Sequence, residues 1–259
     1  MQLVDIGANL THPAFHDDLP SVLRKAREAG VTSMIVTGTS VPESTHALKL
    51  VGEHPDLYCT VGVHPHNARE CDESTIPALR VLAQHPKVVA IGECGLDFNR
   101  NYSPHPDQEK WFAAQVELAV ELGKPLFLHS RDAADRFSEV LRKYRIKGVA
   151  HCFTGQKAEL HSYLDLGLYI GITGWICDER RGAHLLELVK DIPADRLMLE
   201  TDSPYLTPRS MRPQPKARRN EPAFLRYVLE TVAQALGKPP EQVADETTRN
   251  AKAFFGLRL

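Results

Sequence analysis

Val88-Val89-Ala90-Ile91-Gly92-Glu93-Cys94-Gly95-Leu96-Asp97 is a short apolar, β-branched run that passes into a segment holding two glycines and two carboxylates. Apolar residues closed off by turn signals read as a strand buried on both faces, which places Glu93 just past a strand end. The same construction recurs on either side. Upstream, residues 3–6 lead to Asn9-Leu10-Thr11, residues 31–36 to Thr37-Gly38-Thr39, and residues 58–63 to His64-Pro65-His66. Downstream, residues 125–128 lead to His129-Ser130-Arg131-Asp132 and residues 148–150 to His151-Cys152-Phe153-Thr154-Gly155. Residues 168–172 lead to Thr173-Gly174-Trp175, and residues 196–199 to Glu200-Thr201-Asp202.

Helical stretches separate these strands and stop at glycines: residues 17–29 before Gly30, 107–122 before Gly123 and 157–166 before Gly167. Eight strands alternating with helices in 259 residues predict a (β/α)8 TIM-type barrel, one domain over residues 1–259. The rival doubly wound sheet needs a phosphate-binding glycine pattern after its first strand, where Asp5-Ile6-Gly7-Ala8-Asn9 stands instead. Strand ends of a parallel barrel open onto one face, so Asn9, His64, Glu93, His129, His151 and Asp202 are expected to converge there, in reach of a divalent metal.

Singly, each residue has a plainer reading. A strand-end histidine is often a satisfied structural residue, and a strand-end aspartate is often a helix cap. The joint pattern is what favours a site.

With 42% hydrophobic and 25% charged residues the chain is expected to be soluble and globular, and no stretch reaches the roughly 18 apolar residues of a membrane span. Met1-Gln2-Leu3-Val4-Asp5 lacks the basic start of a signal peptide, so cytoplasmic residence is the expectation. Five scattered cysteines without a CxxC pair predict reduced structural thiols. A nucleophilic role for Cys94 or Cys152, with His129 or His151 as base, is the alternative, but neighbouring carboxylates oppose a thiolate there.

Gly62-Val63-His64-Pro65-His66, Ile91-Gly92-Glu93-Cys94-Gly95-Leu96-Asp97, Leu128-His129-Ser130-Arg131-Asp132, His151-Cys152-Phe153-Thr154-Gly155 and Glu200-Thr201-Asp202-Ser203-Pro204-Tyr205-Leu206 occur in this order along the chain. Together they resemble the TatD-type metal-dependent deoxyribonucleases of the amidohydrolase-like superfamily. Asp97-Phe98-Asn99-Arg100-Asn101, Gly171-Ile172-Thr173-Gly174-Trp175 and Cys177-Asp178-Glu179-Arg180-Arg181-Gly182 are closest to the bacterial branch of that family. The resemblance implies a 3′–5′ exonuclease that needs Mg²⁺, prefers single-stranded DNA and also acts on RNA.

Within that reading the metal ligands are Glu93, His129, His151 and Asp202, holding one or two divalent cations, Mg²⁺ first, with Mn²⁺ or Zn²⁺ as alternatives. If two ions bind, Glu93 is the expected bridge. Glu93 and Asp202 are the catalytic pair, Asp202 positioning or deprotonating the attacking water. Many family members carry His-x-His after the first strand, whereas Asn9-Leu10-Thr11 stands here. Its neutral oxygens favour a hard cation, and His12 reads as a surface or supporting residue.

Asn9, His64, His66, Trp175, Arg209, Arg218 and Arg219 are the expected substrate contacts. His64 and His66 could instead only shape their turn, and Trp175 could stack a terminal base or simply pack. Asp97 and Arg131 are read as supporting residues.

A net charge of −2 would repel a polyanion at long range, so affinity has to be local. Arg209, Arg212, Lys216, Arg218 and Arg219 lie in a stretch without an acidic residue between Asp202 and Glu221, a phosphate cradle or else a solvated proline-rich loop. The expected partners are 3′ ends of single-stranded DNA or RNA, with no membrane, no obligate protein partner and a monomeric state. A small-molecule ester or amide hydrolase of the same superfamily and a non-catalytic, metal-stabilised binding protein are the alternatives.

Overall fold

The computed structural model describes residues 1–215 and 218–257. Its strands are β1 (Leu3–Ala8), β2 (Val31–Val36), β3 (Leu57–Val61), β4 (Val88–Asp97), β5 (Leu126–Arg131), β6 (Gly148–Ala150), β7 (Tyr169–Ile172) and β8 (Leu197–Leu199). Between and after them run α1 (Leu19–Glu28), α2 (Val41–Glu53), α3 (Thr75–Leu82), α4 (His105–Leu122), α5 (Ala134–Leu141), α6 (Lys157–Asp165), α7 (Leu185–Leu188), α8 (Leu225–Leu236) and α9 (Pro240–Phe255). The strands form one eight-stranded sheet in the order of the sequence, and the registered pairs are parallel. This is the (β/α)8 barrel that the sequence predicts. None of the described helices is long and apolar enough to cross a membrane.

Tertiary contacts divide the chain into two compact units. The first holds Met1–Val36, Cys152–Gln156 and Ile170–Leu259; the second holds Thr37–His151 and Lys157–Tyr169.

In the second unit, β3 and β4 are buried along their whole length, as parallel strands covered on both faces must be. Local signals shape its helices. Ser40 caps α2 by accepting the Glu43 N–H at 3.2 Å, and α4 ends where Gly123 takes φ 63°. Phe112 of α4 and Phe137 of α5 stack at 5.3 Å in the core, where burying a side chain of this size contributes roughly 1.5–3 kcal/mol.

β4 departs from the sequence reading, which places Glu93 just past the strand end. It pairs with β5 as far as Asp97↔Arg131, and the register slips between Gly92↔Phe127 and Cys94↔Leu128. Glu93 is thus the extra residue of a β-bulge, a device that re-aims a side chain. Gly92 (φ 140°) and Gly95 (φ 149°) make this possible, because a Cβ on either would collide with the β5 carbonyl of Phe127 or His129. What reads as turn glycine is close-approach glycine inside a strand.

In the first unit, β1 pairs with β2, β7 pairs with β8, and Ala8 bridges Ser203 beyond β8. Asp5, fully buried in β1, ties the two edges together by accepting the Thr201 N–H at 2.9 Å and the Gly7 N–H at 3.3 Å.

Candidate metal centre

In the second unit, one carboxylate oxygen gathers three imidazoles. Glu93 Oε1 lies 2.9 Å from His129 Nδ1, 3.0 Å from His151 Nε2 and 3.3 Å from His64 Nε2. The ligand atoms of His64, Glu93 and His129 all fall within 4.8 Å of one another. The strands bring them together: His129 lies in β5, His151 directly follows β6, and His64 follows β3 with its N–H bonded to the Thr39 carbonyl. The Glu93 side chain is only 7% exposed, and the ionic partners described for it are all histidines.

The hydrogen-bond network assigns the ring protons. Asp97 Oδ1 accepts the N–H groups of Asn99 and Arg100 at 3.0 and 2.8 Å, while Oδ2 faces His66 Nε2 at 2.8 Å and His129 Nε2 at 3.3 Å. Burial alone would raise the Asp97 pKa, but hydrogen bonds from His129, His66 and the Arg100 N–H hold it well below the usual carboxylate range. An ionised Asp97 can only accept, so the His129 proton sits on Nε2 and the Nδ1 lone pair faces Glu93. Two acceptors 2.9 Å apart repel unless a positive charge joins them, either a second ring proton or a cation.

His64 is different. Its Nδ1 accepts the His66 N–H at 3.1 Å, so in the neutral ring Nε2 carries the proton. Burial outweighs the attraction of Glu93 and pushes the His64 pKa down to about 4, so the ring stays neutral and donates.

Burial would raise the Glu93 pKa, but the imidazoles around it, His151 and His64 first and then His129, hold it well below its ordinary value. For His129 the order reverses: burial lowers the pKa, and hydrogen bonds to Asp97 and Glu93 raise it above the usual value. A divalent cation fits this donor set. Glu93 supplies an anionic oxygen, His129 a lone pair fixed in direction by Asp97, and His151 a ring nitrogen, while His64 stays a hydrogen-bond donor beside them.

In the first unit, Asp202 follows β8 in a left-handed conformation (φ 53°). Asn9 Nδ2 donates to Asp202 Oδ1 at 3.0 Å and to the Ser203 carbonyl at 3.2 Å, so Asn9 holds the Asp202 carboxylate in place. His12 accepts the Ala14 N–H at 3.0 Å and lies edge-on to Tyr205, which fits a supporting residue.

The basic stretch after β8 is less uniform than its composition suggests. Arg218 and Arg212 are exposed, and Arg209 pairs with Glu179 at 3.2 Å. Lys216 lies outside the described residues. Arg219, expected in the phosphate cradle, has its guanidinium on Asp18 at 2.8 and 2.7 Å, on Glu221 at 2.7 Å and on the Ala14 carbonyl. Its charge is met inside the protein. Trp175, half-buried after β7, has the Arg181 guanidinium 4.4 Å above its ring.

A family model of TatD related DNases matches residues 4–256. The chain belongs to the TatD family. Two TatD relatives, each named 3′-5′ ssDNA/RNA exonuclease TatD, cover 98% of this chain: that of Rahnella sp. (strain Y9602) is 52% identical over 98% of its own length, and that of Erwinia amylovora is 54% identical over 100%. Among solved structures, the TatD homologue YJJV of Escherichia coli K12 superposes with a TM-score of 0.90 at 26% identity, covering 99% of this chain and 98% of that one.

Several supports of the TatD-family centre escaped the sequence reading. Gln115 accepts the Val63 N–H at 2.7 Å and donates to the Val63 carbonyl at 3.1 Å, bracing the turn before His64. Gln108 does the same for Asp97, at 2.8 and 3.1 Å. The two lie seven residues apart on α4, two turns along one face, next to buried Trp111 and Phe112. Polar residues on a core-facing stripe were the available signal. Glu200, fully buried, accepts the Cys152 N–H at 2.5 Å and so anchors the residue after His151. None of the five cysteines is in a disulfide, and Cys94 is completely buried, its thiol pushed well up by burial and then by Glu93, which disfavours the thiolate.

Proposed function

We propose that the chain, acting as one barrel domain over residues 1–259, is a metal-dependent exonuclease that trims single-stranded DNA and RNA from the 3′ end. The observation that carries the reading is the approach of three imidazoles to Glu93 Oε1 at 2.9–3.3 Å, in a chain about half identical to proteins named as such exonucleases. Glu93, His129 and His151 are the proposed ligands in this unit, with Asp202 as a further carboxylate, and Mg²⁺ is the proposed ion ahead of Mn²⁺ and Zn²⁺. When bound, the cation lowers the pKa of its water and neutralises charge on the scissile phosphate.

The protein's own groups do the rest. Asp97 locks the His129 tautomer and turns Nδ1 toward Glu93. His64 offers its Nε2–H, and His66, 28% exposed and bonded to Asp97, stands beside it for a phosphate oxygen. Asp202 takes the proton of the attacking water. Its support is the Glu200-Thr201-Asp202-Ser203-Pro204 motif and the Asn9 amide that fixes one of its oxygens. The proposed setting is a monomer in the cytoplasm.

A 5′-labelled single strand with Mg²⁺ tests this. Stepwise shortening from the 3′ end that stops with excess EDTA is expected, and a circular strand should resist. Cutting of the circle as fast as the linear strand, or full activity in EDTA, contradicts the reading.

A further inference from the structure

Asp178 lies in the loop after β7 with its carboxylate 3% exposed, yet the arginines on it are open to solvent: Arg180 at 60%, Arg181 at 59% and Arg209 at 43%. Arg181 meets Asp178 Oδ2 through Nε and Nη2, each at 3.1 Å, while its guanidinium carbon sits 4.4 Å over the Trp175 ring. Arg180 bonds the same carboxylate through its backbone N–H at 3.0 Å and its side chain at 3.4 Å. Arg209 reaches in from the loop after β8, 3.7 Å from Asp178 and 3.2 Å from Glu179. The two loops are locked together. A Cβ on Gly174 would strike the Leu206 carbonyl oxygen, and one on Gly182 would strike that of Trp175. Burial would raise the Asp178 pKa, but the hydrogen bonds of Arg180 and Arg181 hold it down at about 2, so it stays charged at any working pH.

Resting on the nuclease reading, we propose that Trp175 and Arg181, pinned by Asp178, form a stacking platform for a base of the single strand, with Arg180 and Arg209 as its phosphate contacts. Arg181 lies over the Trp175 ring while 59% exposed, so part of its planar guanidinium is left open to solvent, where a base can stack. Bases stack on arginine planes as they do on aromatic rings, and each base has such a face, so the platform is tolerant of sequence. Three arginines against Asp178 and Glu179 leave one net positive charge, enough to attract a phosphate without attracting acidic proteins broadly. β7 and β8 run parallel in register, Ile172↔Leu199, so the Trp175 and Asp202 loops leave the same end of the sheet. Trp175, Arg181 and Asp178 act here as substrate-positioning residues.

Of the two tryptophans, Trp111 can be changed to Phe so that emission reports Trp175 alone. Titration of that protein in EDTA with a phosphorothioate single strand is expected to quench the emission, and Arg181→Ala should weaken this binding at least about fivefold, with Arg181→Lys no better because a point charge cannot stack. A strand without bases over its last three nucleotides should bind the parent as weakly as the intact strand binds Arg181→Ala. In steady-state trimming by the otherwise unaltered chain, Arg181→Ala should raise KM more than it lowers kcat. If both variants stay within twofold of the parent in KM and in quenching, or Arg181→Lys binds like the parent, the platform is overturned while trimming by the parent leaves the nuclease reading standing. A parent that neither trims nor is quenched overturns both.

Discussion

Glu93 and Asp178 are both carboxylates taken out of water, and opposite means keep them charged. Asp178 is surrounded by guanidiniums, which carry charge at every accessible pH and approach from three side chains. The ionic partners described for Glu93 are imidazoles, one of them held neutral with a pKa near 4. The first arrangement is complete without anything added. The second joins a carboxylate to a ring nitrogen whose direction Asp97 fixes, and so calls for a positive charge between them, a second ring proton or a cation. Asp5 is a third case, buried with only neutral donors from Thr201 and Gly7, and there burial wins: its pKa rises from 3.8 to about 7, the hydrogen bonds offsetting part of the rise. Charge on a buried carboxylate therefore depends on its partners more than on its depth.

Removing the charge at Glu93 should break this contrast most sharply. Glu93→Gln keeps the shape and deletes the anion, so trimming should fall by roughly 10³-fold, about 4 kcal/mol of transition-state stabilisation. Calorimetric titration should show Mn²⁺ binding lost together with activity. Wild-type Mn²⁺ affinity in Glu93→Gln would mean that the ion is held elsewhere.

Asp5 offers the next largest effect, in stability rather than activity. Between pH 3.8 and about 7 the folded chain keeps a proton that the unfolded chain has lost, so the stability Asp5 contributes is fully present below 3.8 and is lost as pH rises to about 7. From pH 5 to pH 8 this amounts to about 2.5 kcal/mol at 1.36 kcal/mol per pH unit. Asp5→Asn mimics the protonated acid and cannot titrate. Its stability relative to the parent should improve by about that amount over the same range, read from urea midpoints at each pH. A difference that does not change with pH would show that Asp5 is ionised at both ends.

The sequence made the centre legible because its logic is local: an apolar run, then a polar strand end, eight times over, with a candidate ligand at six of the eight. That rule placed Glu93, His129, His151 and His64 on or just after neighbouring strands without any tertiary information. It failed at β4 because Gly92 and Gly95 are chemically the same residue in a turn and in a bulged strand, and only the approach of β5 distinguishes the two. Gln108 and Gln115 escaped because a helical glutamine looks like a solvated one until the loops it braces are known. For the basic stretch, composition could count arginines but could not see carboxylates supplied from far along the chain.

Arg219 is where that limit has the clearest consequence. Asp18, about two hundred residues away in sequence, takes two of its hydrogen bonds, Glu221 a third, and Phe15 lies under the guanidinium at 5.1 Å. Charge-assisted bonds of this kind are worth roughly 1.5–3 kcal/mol when a buried partner is left bare. Here the partners are not left bare: Glu221 keeps Lys25 at 3.2 Å, and Asp18, 39% exposed, can turn back to water. Arg219→Ala should therefore cost only about 1 kcal/mol in denaturant unfolding. If its charge is spent internally, the salt dependence of single-strand binding should keep its slope, whereas loss of a phosphate contact would reduce that slope by about one. A reduced slope with unchanged stability would return Arg219 to the phosphate cradle and leave Asp18 as a bystander.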